Sequence, residues 1–184
     1  MILPIYAYGH PILKRVAKDV TQDLDGLSEL IINMWETMYN AEGVGLAAPQ
    51  IGKSLRIFMV DTEQTYKEED RSRGIKTVFI NAEKIVEQGE YWPYEEGCLS
   101  IPHIRGEVER QTTLKIKYLD ENFEEQVKVF DGINARVVQH EYDHIEGVLF
   151  LEKLKPLKKR LIKRKLDIIK KGKVDTDYLM RFSK

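Results

Sequence analysis

The chain has 184 residues, of which 42% are hydrophobic and 32% are charged, and its formal net charge is −1. This composition is typical of one globular domain and excludes a disordered or fibrous chain. No apolar run approaches the roughly 20 residues that a membrane helix needs. The apolar N-terminus lacks the basic region of a signal peptide, so we expect a cytoplasmic location. The one cysteine, Cys98, excludes a disulfide within the chain.

Charge is unevenly distributed along the chain. Residues 153–173 contain 11 Lys and Arg but a single acid, Asp167, so the rest of the chain is acidic. A basic segment of this kind indicates a surface that meets a polyanion. The alternative is a solvated amphipathic face whose apolar side chains pack on the body, namely Leu157, Leu161, Ile162, Leu166 and Ile169.

The first predicted element is an amphipathic helix over residues 27–41, which Gly43-Val44-Gly45 ends. Its apolar side chains recur at helical spacing: Leu27, Leu30, Ile31, Met34, Trp35 and Met38. A strand over 55–60 and a polar, exposed loop over 62–74 follow.

Three further strands are predicted at 77–86, 107–118 and 124–130. In the second of these, Leu114 and Ile116 alternate with lysines, which is the period-two pattern of a half-buried strand.

A second helix is predicted over 132–146, with Asp131 as its N-cap and Gly147 after its end. A last helix, at about 156–171, carries the basic residues. This order of elements indicates an α+β fold with an antiparallel or mixed sheet. We expect a single catalytic domain over 1–184, with its core at about 1–155.

The second predicted helix contains the motif His140-Glu141-Tyr142-Asp143-His144. Residues four apart lie on one helix face, so the two imidazoles can bind one metal ion and Glu141 can reach its bound water. Ile133 and Val137 share this face, which we therefore expect to point inward. The alternative is a pair of surface histidines beside a solvated acid.

A catalytic site of this kind keeps three protein ligands and leaves a fourth position to water. No histidine follows His144; Glu146 is close to it on the helix, and Glu152 lies further on. Upstream lies Cys98, whose thiolate would be a strong, soft ligand, although a single cysteine is more often a small buried hydrophobe.

Three segments together resemble the peptide deformylase family of the bacterial type. They are Gly43-Val44-Gly45-Leu46-Ala47-Ala48-Pro49-Gln50, Glu96-Gly97-Cys98-Leu99-Ser100 and Gln139-His140-Glu141-Tyr142-Asp143-His144. The resemblance spans roughly residues 5–155. It implies small mixed or antiparallel sheets around a central metal-binding helix, here followed by the basic C-terminal helix.

The resemblance also implies roles for individual residues. The metal ligands would be Cys98, His140 and His144, with Glu141 as general base and then general acid. The oxyanion would be stabilised by the Gln50 side chain and the Leu99 N–H. Substrate contacts are expected from Gly45 and Arg105 and, around the methionine pocket, from Val44, Leu46, Glu96, Arg136 and Val137. Arg136 is unusual in an apolar pocket, so only its stem would pack there.

The implied reaction is hydrolysis of the N-formyl group of formyl-methionyl nascent peptides, in which metal-bound water attacks the formyl carbon. Fe²⁺ is the expected physiological metal, and Zn²⁺, Ni²⁺ or Co²⁺ can replace it. The expected partners are formyl-methionyl peptides and, through the basic helix, ribosomal RNA; no membrane or nucleotide is expected. His103 is expected at the surface or the pocket rim.

Two other functions use the same residues. One is a zincin-type endopeptidase, which lacks the downstream third ligand here. The other is non-enzymatic, either a structural metal site, which would normally have four protein ligands, or a basic-tailed RNA-binding module.

Overall fold

The computed structural model describes residues 1–183. Its helices agree closely with the predicted ones: α1 (Leu27–Asn40), α2 (Gly132–Ile145) and α3 (Pro156–Lys170). α1 ends before the glycines that were expected to stop it, because Glu42 already takes a positive φ of 55°. Among residues 1–183, no helix combines the length and the apolar character that crossing a membrane requires.

A five-stranded antiparallel sheet forms the centre of the fold, and its strands follow one another in chain order. They are β2 (Gly45–Ala47), β3 (Ile57–Asp61), β4 (Lys76–Cys98), β5 (Ile101–Leu119) and β6 (Glu125–Asp131). Two short strands near the ends of the chain, β1 (Ile5–Tyr6) and β7 (Met180–Arg181), pair separately in parallel. The predicted α+β class is confirmed.

The hairpin of β4 and β5 is much longer than the sequence pattern predicted. The predicted strand 77–86 continues through Pro93 to Cys98, and most of this added part is exposed. A strand that buries neither face shows no alternation of apolar and polar residues. Its pairing with β5 shifts register at several points, the last between Gly97 and Cys98. Cys98, the predicted thiol ligand, is therefore the last residue of β4, at the turn that leads into β5.

Helix α2 is buried on nearly all sides, whereas its pattern predicted a single inward face. Ala135 and Val138 pack with Phe58 and Phe79 of the sheet, and polar side chains on its other faces are buried as well. Asp131 occupies the predicted N-cap position, and its side chain makes no capping hydrogen bond.

The end of α2 follows the prediction. Gly147 adopts a positive φ of 70°, and its N–H donates to the His144 carbonyl at 3.2 Å. An added Cβ there would lie 2.7 Å from the Lys14 backbone, so glycine is required at this turn.

The polar stretch 62–74 is largely exposed, as predicted, and contains short 3₁₀ turns. It also holds the first turn of α2. Asn134 accepts a hydrogen bond from Thr62 Oγ1 at 2.5 Å and donates to the Arg73 carbonyl at 2.8 Å. The loop therefore fixes the start of the helix that bears the histidines.

Only part of the apolar stripe of α3 packs on the body. Ile162 and Ile169 are buried with Leu154, whereas Leu157 and Leu161 are 66% and 69% exposed. The helix therefore has a docked side and a side that presents both basic and apolar groups.

Candidate metal centre

The structure brings Cys98, His140 and His144 together. One ligand atom from each lies within 4.8 Å of the others, and Cys98 Sγ is 3.3 Å from His144 Nε2. The histidines are one turn apart on α2, while the thiol comes from the end of β4. The site therefore depends on how the hairpin is placed against the helix.

The three side chains fit a divalent metal. They offer one thiolate and two imidazoles, which is a donor set suited to Zn²⁺ or Fe²⁺, and three ligands leave one position open. Burial, with the charge of His140, holds the pKa of His144 well below its usual range. Neutral imidazole is the form that binds a metal, so the environment favours binding at this position.

A carboxylate orients the first histidine. His140 Nδ1 lies 2.9 Å from Glu96 Oε2, which leaves Nε2 free for a metal, as is usual for metal-bound histidines. Burial alone would raise the pKa of Glu96, but hydrogen bonds from His140 and Arg110 outweigh it and hold that pKa well below its usual range. Glu96 is therefore an anion throughout the neutral range.

Glu96 belongs to a buried ion cluster. Arg110 donates to both of its oxygens, at 2.7 and 3.0 Å, and to Asp143 at 2.7 Å. Arg136 donates to Glu96 Oε1 at 2.9 Å and to the Val108 carbonyl at 3.0 Å. Charges this deeply buried are stable only when they are paired, and here the pairing locks β4, β5 and α2 to one another.

Sequence reasoning missed Arg110 and Asp143, and it did not identify the anion that pairs with Arg136. Only the Arg136 stem was expected to pack at the pocket; the residue is 2% exposed, and its guanidinium donates to Glu96. One signal was available for Arg110: it continues the inward alternation of β5 after Ile104 and Val108. An arginine at an inward position predicts a buried anion.

Glu141 lies buried beside the two histidines. Its Oε2 atom has no hydrogen-bond partner among the residues that the structure describes. Burial raises the pKa of Glu141 to about 7, against the opposing charge of His140. A bound divalent cation would lower that pKa, because it stabilises the carboxylate. With a cation bound, the side chain is therefore a carboxylate at neutral pH.

Gly45 makes room for this carboxylate. A Cβ added to Gly45 would lie 2.5 Å from Glu141 Oε1. The glycine is thus required by close approach rather than by its backbone angles. Because Gly45 has no side chain, the backbone of β2 can lie directly against the Glu141 carboxylate.

Gln50 is oriented by its own 3₁₀ turn. Its Oε1 accepts a hydrogen bond from the Ala47 N–H at 2.8 Å, so the amide nitrogen faces the site. Nε2 lies 3.6 Å from Cys98 Sγ and 3.3 Å from Ser100 Oγ. Leu99, whose N–H is the second predicted oxyanion donor, lies between Cys98 and Ser100 in the chain.

A cavity of about 590 Å³ opens onto these groups. Most of the predicted substrate residues line it, namely Val44, Gly45, Glu96, Arg105, Arg136 and Val137. Leu46 does not: it is fully buried in the core beside α1, because its side chain points to the opposite face of the short strand β2. Arg105 and His103 lie at the exposed rim, Arg105 paired with Glu95 at 3.2 Å.

A model of the family described as polypeptide deformylase matches residues 2–160. This chain belongs to the polypeptide deformylase family. Among the similar curated proteins is a peptide deformylase from Christiangramia forsetii, 53% identical over 99% of this chain and 96% of the relative. Another, from Flavobacterium johnsoniae, is 52% identical over 100% of this chain and 97% of the relative.

Solved structures agree with this assignment. A peptide deformylase from Legionella pneumophila superposes with a TM-score of 0.81 at 38% identity, covering 94% of this chain and 97% of the other. The enzyme from Plasmodium falciparum gives a TM-score of 0.83 at 34% identity, covering 91% and 95%.

The family assignment decides between the functions considered from the sequence. The chain is a hydrolase that removes the N-formyl group from nascent peptides, and the family uses a metal to do so. It is neither an endopeptidase of the zincin type nor a non-enzymatic module. The resemblance inferred from three short segments is confirmed.

Proposed function

We propose that Cys98, His140 and His144 hold one divalent metal ion and that Glu141 moves the protons of deformylation. The convergence of three ligand atoms within 4.8 Å of one another supports this most directly. The metal proposed for the cell is Fe²⁺, and Zn²⁺, Ni²⁺ or Co²⁺ suit the same ligands. When bound, the ion supplies a water of lowered pKa and polarises the formyl oxygen.

Glu141 acts as general base and then as general acid. Its Oε2 has no protein partner among the described residues and so is available to a water or to the substrate. As a carboxylate it can accept a proton from the attacking water and then release that proton to the departing amine. Without that proton the amine would be a poor leaving group.

Gln50 and Leu99 stabilise the negative charge that develops on the formyl oxygen. The Gln50 amide is already oriented by Ala47, so it needs no rearrangement at the moment of reaction. The Leu99 N–H is the second donor. Removing one donor of this kind typically raises the barrier by about 3 kcal/mol.

The methionine side chain binds against Val44 and Val137, which line the cavity. Gly45 contacts the peptide through its backbone, and Arg105 meets the following residues at the rim. Leu46 stabilises β2 from the core. Glu96 and Arg136 line the cavity as rigid side chains, because their charged ends are held in the ion cluster.

An assay on formyl-Met-Ala under anaerobic conditions, with metal analysis, tests this function. We expect formate release by the wild type and loss of both metal and activity in Cys98→Ala. Acetyl-Met-Ala serves as the control substrate, since its acyl carbon carries a methyl group in place of hydrogen. A Cys98→Ala protein that retains a full equivalent of metal would contradict the assigned ligand set.

We further propose that residues 1–184 act as one catalytic unit in the cytoplasm and that α3 contacts ribosomal RNA. The basic exposed side of α3, with Leu157 and Leu161, supports this. Such binding should weaken steeply as salt is raised.

Charge reversal on α3 tests the ribosomal contact without disturbing the core. The double variant Arg160→Glu, Arg164→Glu changes exposed positions only and should reduce co-sedimentation with ribosomes. Lys18→Glu, Lys128→Glu changes net charge equally at exposed sites on other elements and should not. Equal co-sedimentation of both double variants would reject the contact.

A further inference from the structure

The segment that follows α3 returns to the metal centre. Thr176, Asp177 and Tyr178 line the same cavity as Cys98 and His140, two of the proposed metal ligands. The match to the family model ends at residue 160, so this part of the cavity is built by residues beyond the matched region. No feature of the sequence pattern pointed to it.

Backbone hydrogen bonds anchor this segment next to the site. β7 pairs with β1, and the Ile5 N–H donates to the Leu179 carbonyl at 2.8 Å. The Ala7 N–H donates to the Arg181 carbonyl at 2.9 Å. One residue further on, the Tyr8 N–H donates to the Ser100 carbonyl at 2.8 Å. The C-terminal segment and the turn after Cys98 are therefore both held by the stretch 5–8.

Side chains add direct contacts between the segment and the site. The Tyr178 hydroxyl donates to the Leu99 carbonyl at 2.8 Å. Thr176 Oγ1 donates to the Tyr178 carbonyl at 2.8 Å and so fixes the local turn. On the cavity rim, His103 Nε2 donates to the Asp175 carbonyl at 2.7 Å. Hydrogen bonds thus hold both ends of the short stretch 175–178.

Tyr178 is suited to this contact. Its ring packs against the core cluster that contains α1. Burial, together with the nearby Cys98 sulfur, raises the pKa of its phenol well above the usual value. The hydroxyl is therefore protonated, and able to donate, across the neutral range.

We propose that residues 175–178 form a fixed wall of the substrate cavity and that Tyr178 is a positioning residue for Leu99. By holding the Leu99 carbonyl, the phenol restricts rotation of the residue whose N–H stabilises the oxyanion. This inference rests on the proposed role of Leu99 in deformylation. A misplacement of about 1 Å in such a group can reduce a rate by about 100-fold.

Tyr178→Phe tests the positioning role, because it keeps the ring and removes only the hydroxyl. We expect kcat for formyl-Met-Ala to fall about 10-fold, with KM and metal content unchanged, since an oxyanion donor acts mainly in the transition state. Tyr8→Phe is the matched control: it keeps the backbone bond to Ser100 and should leave kcat unchanged. A Tyr178→Phe enzyme with wild-type kcat, whatever its melting temperature, would overturn the proposal.

Hydrogen–deuterium exchange tests the wall independently of turnover. In the wild type, with or without metal, we expect slowed exchange over 174–181, and faster exchange in Tyr178→Phe. Exchange at the rate of an unstructured peptide in the wild type would overturn the proposal. An active Glu141→Gln enzyme would instead contradict the proposed chemistry, and the exchange result would still decide whether the wall exists.

Discussion

His140 Nδ1 and Glu96 Oε2 lie 2.9 Å apart, and the carboxylate is bonded at the same time to two buried arginines. One anion therefore orients His140, a proposed metal ligand, and neutralises part of the positive charge of Arg110 and Arg136. The ligand geometry and the stability of the β4–β5 hairpin are consequently coupled through a single side chain.

Glu96→Gln is expected to weaken metal binding by about 10- to 100-fold, because the partner that orients His140 loses its charge. It should also destabilise the fold by about 3–5 kcal/mol, since Arg110 and Arg136 lose their shared anion. Competition with a chelating dye measures the first effect and denaturant unfolding the second. Glu95→Gln, at the exposed neighbouring position, should show neither; similar losses in both variants would rule out the special role of Glu96.

Glu141→Gln should retain a full equivalent of metal while kcat falls by a factor of about 10²–10⁴, the usual contribution of a general acid–base. The amide keeps the shape of the side chain but cannot carry the proton. Metal analysis and steady-state kinetics on one preparation measure both quantities. Glu146→Gln, at the end of the same helix, should keep wild-type kcat. Metal loss in Glu141→Gln would make the kinetic result uninformative about proton transfer and would argue for a structural role.

Gly45→Ala should reduce kcat by about 100-fold with a folded, metal-loaded protein, because its Cβ would lie 2.5 Å from Glu141 Oε1 and displace it. Circular dichroism and kinetics separate folding from catalysis. Gly26→Ala is the contrasting variant: its Cβ meets nothing within 4 Å, but its positive φ of 73° is strained. It should lower stability and leave kcat unchanged. Full activity of Gly45→Ala would show that the carboxylate has room to move.

Metal removal should lower the melting temperature. A metal held at 100 times its dissociation constant stabilises the folded state by about 2.7 kcal/mol, and a chelator removes that contribution. Differential scanning calorimetry with and without chelator measures the shift. Cys98→Ala should melt at the same temperature in both conditions. A chelator effect of equal size in Cys98→Ala would place the stabilising ion elsewhere.

Local patterns predicted what depends on local contacts. The bounds of α1, α2 and α3 differ from the predicted ones by about one residue, because helical periodicity and end signals are encoded within each segment. The proximity of His140 and His144 was also predictable from local sequence, because residues four apart in a helix lie one turn apart on the same face.

Features that depend on pairing between distant segments were predicted poorly. The second half of β4 shows no strand periodicity, because most of its side chains are exposed and its backbone pairs with β5, a distant segment of the chain. The ion cluster draws Glu96, Arg110 and Asp143 from three elements, and no short window contains two of them. Cys98 was a candidate neighbour of the histidines because it is the one cysteine, and the family resemblance supplied the long-range information that supported it.

The parallel pair of β1 and β7 has a consequence for how the enzyme matures. Closing a loop that spans almost the entire polypeptide is entropically slow, so this pairing is expected late in folding. The stretch 5–8 that it fixes also holds the Ser100 carbonyl beside the reaction centre. A partly synthesised copy of this enzyme is thus expected to be inactive until residues 180–181 have been made, although the proposed metal ligands Cys98, His140 and His144 are synthesised earlier.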